Sequence, residues 1–163
     1  MITQEQLKDL VHYDPLTGIF THLKNHKGPA RAGSVAGTIG NWGYRHIKLN
    51  GKRYTAHRLA WLYMTGEWPS KLLDHVNRMR DDNRWANLRL ADFSQNAWNS
   101  RMPDRNTSGH KGVYWDPRYK AWLCQFNYKK ERQYVGRFRD FQEAVEAIEK
   151  RRRELHGEFA AQS

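Results

Sequence analysis

The residues best equipped for chemistry lie in one stretch of the chain: Asp74-His75-Val76-Asn77, then Asp82-Asn83-Arg84-Trp85-Ala86-Asn87-Leu88-Arg89, then Ser94-Gln95-Asn96. A carboxylate from Asp74 and an amide oxygen from Asn96 suit a hard cation, with water and a substrate phosphate completing its shell. Mg²⁺ is the expected ion and Mn²⁺ the alternative. His75 follows Asp74 directly, so on a strand the two side chains point to opposite faces, one toward metal and the other toward an attacking water. An imidazole that titrates near neutrality can take a proton from that water. A cation on the phosphate offsets the charge that develops as the bond breaks. The competing reading of the same residues is structural: a salt bridge at Asp74-His75, and ordinary turn and cap residues at Asn87 and Asn96.

The elements that must position these groups can be read around them. Residues 72–76 form a short strand, 77–87 a polar loop, and 88–91 a second strand. Asp92 or Ser94 can cap a helix running through Asn96 to about residue 100. Strand, loop, strand and helix fold into a hairpin whose capping helix lies against the end of the first strand, which brings Asp74 and Asn96 together. Upstream, Thr3-Gln4-Glu5-Gln6 is a capping box, with Leu7 and Leu10 on one helical face. Asp14-Pro15-Leu16-Thr17-Gly18 ends that helix in a turn, and residues 19–23 read as a strand. Gly33, Gly37, Gly40 and Gly43 favour short strands and tight turns over helix. Residues 44–49 and 52–56 flank Asn50-Gly51, the dipeptide best suited to a two-residue type I′ hairpin. Leu59, Leu62 and Tyr63 then recur at helical spacing over 57–65, with Gly66 as the C-terminal cap.

Residues 101–109 hold Pro103, Asp104, Asn106, Thr107 and Ser108 and almost nothing apolar, which marks a linker. Beyond it come strand-like runs at 112–115, 121–128 and 133–138, then a helix from 141 to about 156. Ala144, Val145, Ile148 and Leu155 share its apolar face. Strand alternation turns Val113, Trp115, Trp122, Cys124 and Phe126 toward that helix and Tyr114, Arg118, Leu123, Gln125, Asn127, Tyr134 and Arg137 outward. Gln and Asn can pair with adenine and Arg with guanine, so the outward set can read bases. Lys129, Lys130, Arg132 and Arg139 border the sheet as phosphate contacts. The run Lys150-Arg151-Arg152-Arg153 reads as a solvated helix face.

Bulk properties point the same way. The 163-residue chain carries 28 Lys and Arg against 17 Asp and Glu, a formal charge of +11, and a pI near 9.9, so a polyanionic partner is expected. One cysteine, Cys124, excludes an internal disulfide and a paired-thiolate zinc knuckle, so no zinc is expected. Cys124 reads as a small core residue. His12, His22, His26, His46, His110 and His156 have no partner at ligand spacing and read as solvated or core residues. His57-Arg58 at a helix start reads equally well as a phosphate contact or as packing. No membrane-spanning run or signal-peptide core is seen, which predicts an intracellular protein.

The series Asp-His, Asp-Asn-Arg, Asn-Leu-Arg and Gln-Asn over residues 74–96 resembles the HNH, or ββα-metal, nuclease family. From residue 54 to 99, including Ala56-His57-Arg58-Leu59-Ala60-Trp61, the chain is similar to the phage homing-endonuclease branch. The resemblance implies His75 as general base, Asp74 and Asn96 as metal ligands, and Asn87 as the residue that pins the loop to backbone near the base. It also implies products with 5′-phosphate and 3′-hydroxyl ends, and the cytoplasm of a phage-infected bacterial host. One departure stands in the loop, where Arg78-Met79 follow Asn77 and the family often has glycine. Residues 108–159 resemble the AP2 domain through Gly112-Val113-Tyr114-Trp115, Ala121-Trp122-Leu123-Cys124-Gln125-Phe126, Tyr134-Val135-Gly136-Arg137-Phe138 and Glu143-Ala144. That resemblance implies an exposed sheet face lying in the DNA major groove; Leu123 stands where the family commonly has a polar residue.

The expectation is therefore an α+β chain. An HNH nuclease domain spans 1–100, with a hairpin-rich part at 1–70 and the ββα-metal motif at 71–100. A linker at 101–109 leads to an AP2-like three-stranded antiparallel sheet plus helix at 110–163. Such a chain would be a metal-dependent endonuclease on double-stranded DNA, nicking or cutting both strands, as a monomer or homodimer and without a small-molecule cofactor or membrane. The alternative is a non-cutting DNA-binding regulator on the same scaffold. An RNA-binding protein ranks last, because most aromatics fall at core-spaced positions.

Overall fold

The computed structural model describes residues 1–25, 30–92, 106–129 and 131–156. The chain divides into two compact units, Met1–Asp92 and Phe93–Ser163, and each is mixed α and β.

The first unit opens with α1 (Gln4–Leu10). Its capping box is present: Thr3 Oγ1 accepts from the Gln6 N–H, and Gln6 Oε1 accepts from the Thr3 N–H, both at 3.2 Å. The helix stops at Leu10 and the chain turns at once into β1 (Val11–Asp14), paired antiparallel with β2 (Ile19–His22). The helix was expected to run to the Asp14 turn. Instead Val11 and Tyr13 alternate into the core as strand residues, and the Asp14 turn closes a hairpin. Asp14 builds that turn with its own carboxylate, which accepts from the Leu16 N–H at 2.9 Å and the Thr17 hydroxyl at 2.8 Å.

β3 (Thr38–Ile39), β4 (Arg45–Leu49) and β5 (Lys52–Thr55) form a three-stranded antiparallel sheet. Asn50 and Gly51 both have positive φ, 49° and 79°, as a type I′ turn requires. α2 (Ala56–Thr65) follows directly and ends at Gly66, whose φ of 84° and N–H bond to the Leu62 carbonyl make a left-handed cap. Leu7, Val11, Tyr13, Phe20, Ile47, Leu59 and Leu62 come from five of these elements to form one core.

β6 (Leu72–His75) and β7 (Leu88–Ala91) make the antiparallel pair that carries the expected site, with Asp74 opposite Arg89 and His75 opposite Leu88. The loop between them is fastened to the first hairpin. The Tyr13 hydroxyl donates to the Asn83 carbonyl at 2.7 Å, and the Trp85 N–H donates to the Pro15 carbonyl at 3.0 Å. Gly18, at φ 73°, approaches so closely that a Cβ there would collide with the backbone of Asn83 and Arg84. The expected helix through Asn96 lies outside the described residues.

In the second unit, β8 (Val113–Asp116), β9 (Ala121–Tyr128) and β10 (Glu131–Phe138) form an antiparallel sheet in the order β10-β9-β8. A register shift interrupts β10 between Tyr134 and Gly136. α3 (Phe141–His156) covers one face, and Asp140 Oδ1 accepts from the Glu143 N–H at its start. Val113, Cys124, Ala144 and Ile148 are fully buried between sheet and helix. Trp122 packs between Trp115 and Phe141, with ring centroids 5.1 and 4.7 Å away. Trp115 nevertheless remains 48% exposed, because β8 is an edge strand.

In the basic run at 150–153, Lys150, Arg151 and Arg153 are exposed as expected, and Arg152 alone departs from the solvated face. Arg152 follows Ile148 by one helical turn and is 6% exposed, its guanidinium 5.4 Å from the centre of the Phe126 ring. Among the described residues no helix is long and apolar enough to cross a membrane.

Candidate active site and nucleic-acid face

Asp74 and His75 are both buried although both are polar, at 5% and 4% exposure, so each must be satisfied from within the protein. The Asp74 carboxylate is held by Arg89 across the strand pair. Its Oδ2 accepts from Arg89 Nε at 2.9 Å and from Nη2 at 2.8 Å. The structural reading anticipated a salt bridge at Asp74, and the partner is Arg89 rather than His75.

His75 lies among rings. The His57 ring meets it edge-on at 5.1 Å, and Tyr44 stands 6.0 Å from His75 and 5.2 Å from His57. Its Nε2 lies 3.4 Å from Asn83 Oδ1. Burial pulls the His75 pKa below the ordinary imidazole value; the Asn83 contact and the Asp74, Asp82 and Asp81 charges oppose that shift without cancelling it. His75 is therefore neutral at neutral pH, the form a general base requires.

The loop is pinned by a polar network centred on Asn87. Its Oδ1 accepts from the Asn77 N–H at 3.0 Å, and its Nδ2 donates to Asn77 Oδ1 at 3.0 Å and to the Asp82 carbonyl at 2.7 Å. The Val76 N–H donates to the Asn87 carbonyl at 2.9 Å. Asp82 takes hydrogen bonds from Arg84 Nε and Asn77 Nδ2, and the Arg84 bond leads in drawing its pKa down to about 2. At the position where the family often has glycine, Arg78 adopts φ 64°, and Asn77 Oδ1 stabilises the turn by accepting from the Met79 N–H at 2.9 Å.

The described structure thus brings Asp74, His75 and Asn87 onto one hairpin. Asn96, the other expected ligand, lies outside the described residues. Among the described residues no three His, Cys, Asp or Glu side chains cluster around a point. A single buried carboxylate suits an oxygen-seeking cation that retains much of its water, and Arg89 already supplies positive charge at the same oxygen. Cys124 is buried against Ala144 in the second unit, and burial lifts its thiol to about 11, far from a thiolate ligand.

One residue of this site carried no separate reading in the sequence, and another carried two. Asn83 is 1% exposed and is the hydrogen-bonding neighbour of His75, yet within Asp82-Asn83-Arg84 nothing marks it from a loop residue. For His57 the structure selects packing over phosphate contact: it is buried, and burial, with the His75 and Arg58 charges, drives its pKa down to about 3.

On the second unit, strand register aligns the outward residues in rows. Tyr114, Leu123 and Arg137 are cross-strand neighbours, as are Gln125 and Tyr134. Tyr114, Arg118, Asn127, Tyr134 and Arg137 are exposed, and Gln125 is half-buried. The Tyr119 ring lies between Arg137, at 4.1 Å, and Arg118, at 5.5 Å, while Arg137 Nε is 3.6 Å from Asp116. Lys129, Arg132 and Arg139 are exposed around this face, and the Lys130 side chain lies outside the described residues.

Residues 54–98, which include α2 and the β6–β7 hairpin, match the family model described as HNH endonuclease, a class that works with divalent metal. The chain is 36% identical to Protein 3.8 of Escherichia phage T7 over 105 residues, covering 64% of this chain and 86% of that protein. It belongs to the same family as that phage protein. No solved structure matches it.

Proposed function

We propose that the chain is a metal-dependent endonuclease that hydrolyses phosphodiester bonds in duplex DNA. The observation that carries the proposal is the neutral, buried His75 imidazole beside the Asp74 carboxylate on a hairpin locked by Asn87. A neutral imidazole keeps one ring nitrogen able to accept a proton, and the contact of Nε2 with Asn83 Oδ1 orients the ring. Tyr44 and His57 fix the plane of that ring, and Asn87 holds the backbone that follows it at Val76 and Asn77. Asp74 would bind the cation together with Asn96; Mg²⁺ is the favoured ion. The cation, when bound, supplies a positive charge for the phosphate and the leaving oxygen. Arg89 holds the Asp74 carboxylate in place through two hydrogen bonds to Oδ2.

The second unit would act as the reader, an AP2-like sheet with Gln125, Asn127 and Arg137 toward base edges and Tyr114, Arg118 and Tyr134 beside them. Lys129, Arg132 and Arg139 would meet phosphates and fix its register on the duplex. This arrangement fits an enzyme of the phage homing type.

A second reading rests on one observation. Arg89 places its guanidinium where Asp74 would hold a cation, and a permanent ion pair would leave a DNA-binding regulator on a nuclease scaffold. Incubation of supercoiled plasmid with Mg²⁺ or Mn²⁺, and in parallel with EDTA, separates the two. The proposal expects nicked or linear product with metal and none with EDTA, whereas intact plasmid under every metal condition, with DNA bound, would leave the regulator.

A further inference from the structure

The turn between β3 and β4 holds a side chain that the hydrolytic site does not use. Trp42 is 78% exposed, the most exposed aromatic among the described residues. An indole is among the largest apolar surfaces a protein can offer, and leaving it in water is unfavourable unless something covers it.

The turn that presents it is held firmly. The Gly40 N–H donates to the Tyr44 carbonyl at 2.9 Å, and the Gly43 N–H donates to the Gly40 carbonyl at 2.8 Å. Arg80 Nη1 donates to the Trp42 carbonyl at 2.9 Å, and its guanidinium lies 5.1 Å from the centre of the Tyr44 ring. Tyr44 in turn packs beside His75. Trp42 is thus tied through Arg80 and Tyr44 to the base of the hydrolytic site.

The chain segment that carries it has charge of one sign, although Asp81 and Asp82 follow Arg80 on the neighbouring loop. The sequence contains no Asp or Glu between Asp14 and Glu67, but eight Lys and Arg. Arg53 reaches across the sheet toward Gly40, at the foot of the same turn. On the catalytic loop, Met79 and Val76 expose further apolar surface, at 54% and 45%. A partner that satisfies both features must offer negative charge and flat apolar faces together, and duplex DNA offers phosphates flanking stacked bases. Apolar wedges on basic surfaces enter base steps in this way, unstacking and kinking the helix.

We propose that Trp42 wedges against a base step next to the scissile phosphate while Arg80 and Arg53 hold the phosphates beside it, so that the duplex is unwound where it is cut. The choice of DNA as occupant rests on the nuclease reading, and the charge and exposure give it independent support.

The test uses full-length protein carrying His75→Ala, bound to a nicked plasmid that is then sealed with ligase. The linking number of the sealed circles reports unwinding in any sequence. Ligated circles should be underwound in proportion to bound protein. Adding Trp42→Ala should remove most of that shift, while Trp42→Phe should retain most of it. With the native His75, Trp42→Ala should slow cutting at saturating protein by up to about a hundredfold, the scale a misplaced bound substrate can cost. Equal shifts with and without Trp42, or DNA bound with no shift, would overturn the wedge, as would failure to bind DNA. A chain that never cuts yet unwinds through Trp42 would keep the wedge and discard the nuclease. One that cuts without a Trp42-dependent shift would do the opposite.

Discussion

The two units solve the same folding problem with different interiors. Each packs helix against small antiparallel strands, yet the first gathers buried Asp74, His75, Asn83, Asn87 and His57 in one region, while the second seals its sheet with Val113, Cys124, Ala144 and Ile148 and buries only His110 and Arg152 as polar groups among its described residues. Buried polar groups are costly unless bonded, so a fold that keeps several on one hairpin does so for their chemistry. The second unit turns its polar side chains outward along the sheet, where they cost little and can meet a partner. On the proposed function, the cluster of buried polar groups would be the reacting region and the ordered exposed face the recognising one.

That contrast can be broken from either side. Asn87→Ala removes three hydrogen bonds that hold the loop between β6 and β7, and at about 1 kcal/mol each it should cost the first unit about 3 kcal/mol in urea unfolding. Ile148→Ala opens a cavity in the second unit and should cost about 2–4 kcal/mol there. Amide exchange should show lost protection in β6 and β7 for Asn87→Ala and in β9 and α3 for Ile148→Ala. The same loss pattern for both variants would dissolve the distinction.

Acid should sharpen it. The unfolded chain protonates His57 near pH 6.5 and the folded chain only near pH 3, so between them the unfolded state holds more protons. Stability of the first unit should then fall as pH drops through that window, by at most about 1.4 kcal/mol per pH unit. His75 adds to the same slope. Thermal melts of wild type and His57→Leu at pH 7 and pH 5 test this, and equal losses in both would remove His57 as the cause. The smallest effect is expected at Arg78, whose left-handed backbone suits glycine. Arg78→Gly should raise stability, by under about 1 kcal/mol, in the same melts.

Much of this was legible in the residues. Asn50-Gly51, Gly66 and the Thr3 capping box are local signals with one backbone solution each, and the structure has each of them. The end of α1 was not legible, because Val11 and Tyr13 also fit helical spacing and only their pairing with β2 decides for strand. Arg152 could have been found: it follows Ala144 and Ile148 at four-residue steps, so helical period sets it on the buried face, whereas composition alone suggested a solvated run. Asn83 could not, and the choice between packing and phosphate contact at His57 needed the fold, since both side chains take their places from contacts with His75.

The most direct test is plasmid relaxation by wild type and His75→Ala across a Mg²⁺ titration, with DNA binding measured alongside. Wild type should nick or cut in proportion to metal, and His75→Ala should bind equally well while cutting at least about a hundredfold more slowly. Undiminished cutting by His75→Ala would contradict the assignment of the base, and with it the chemistry proposed for the hairpin.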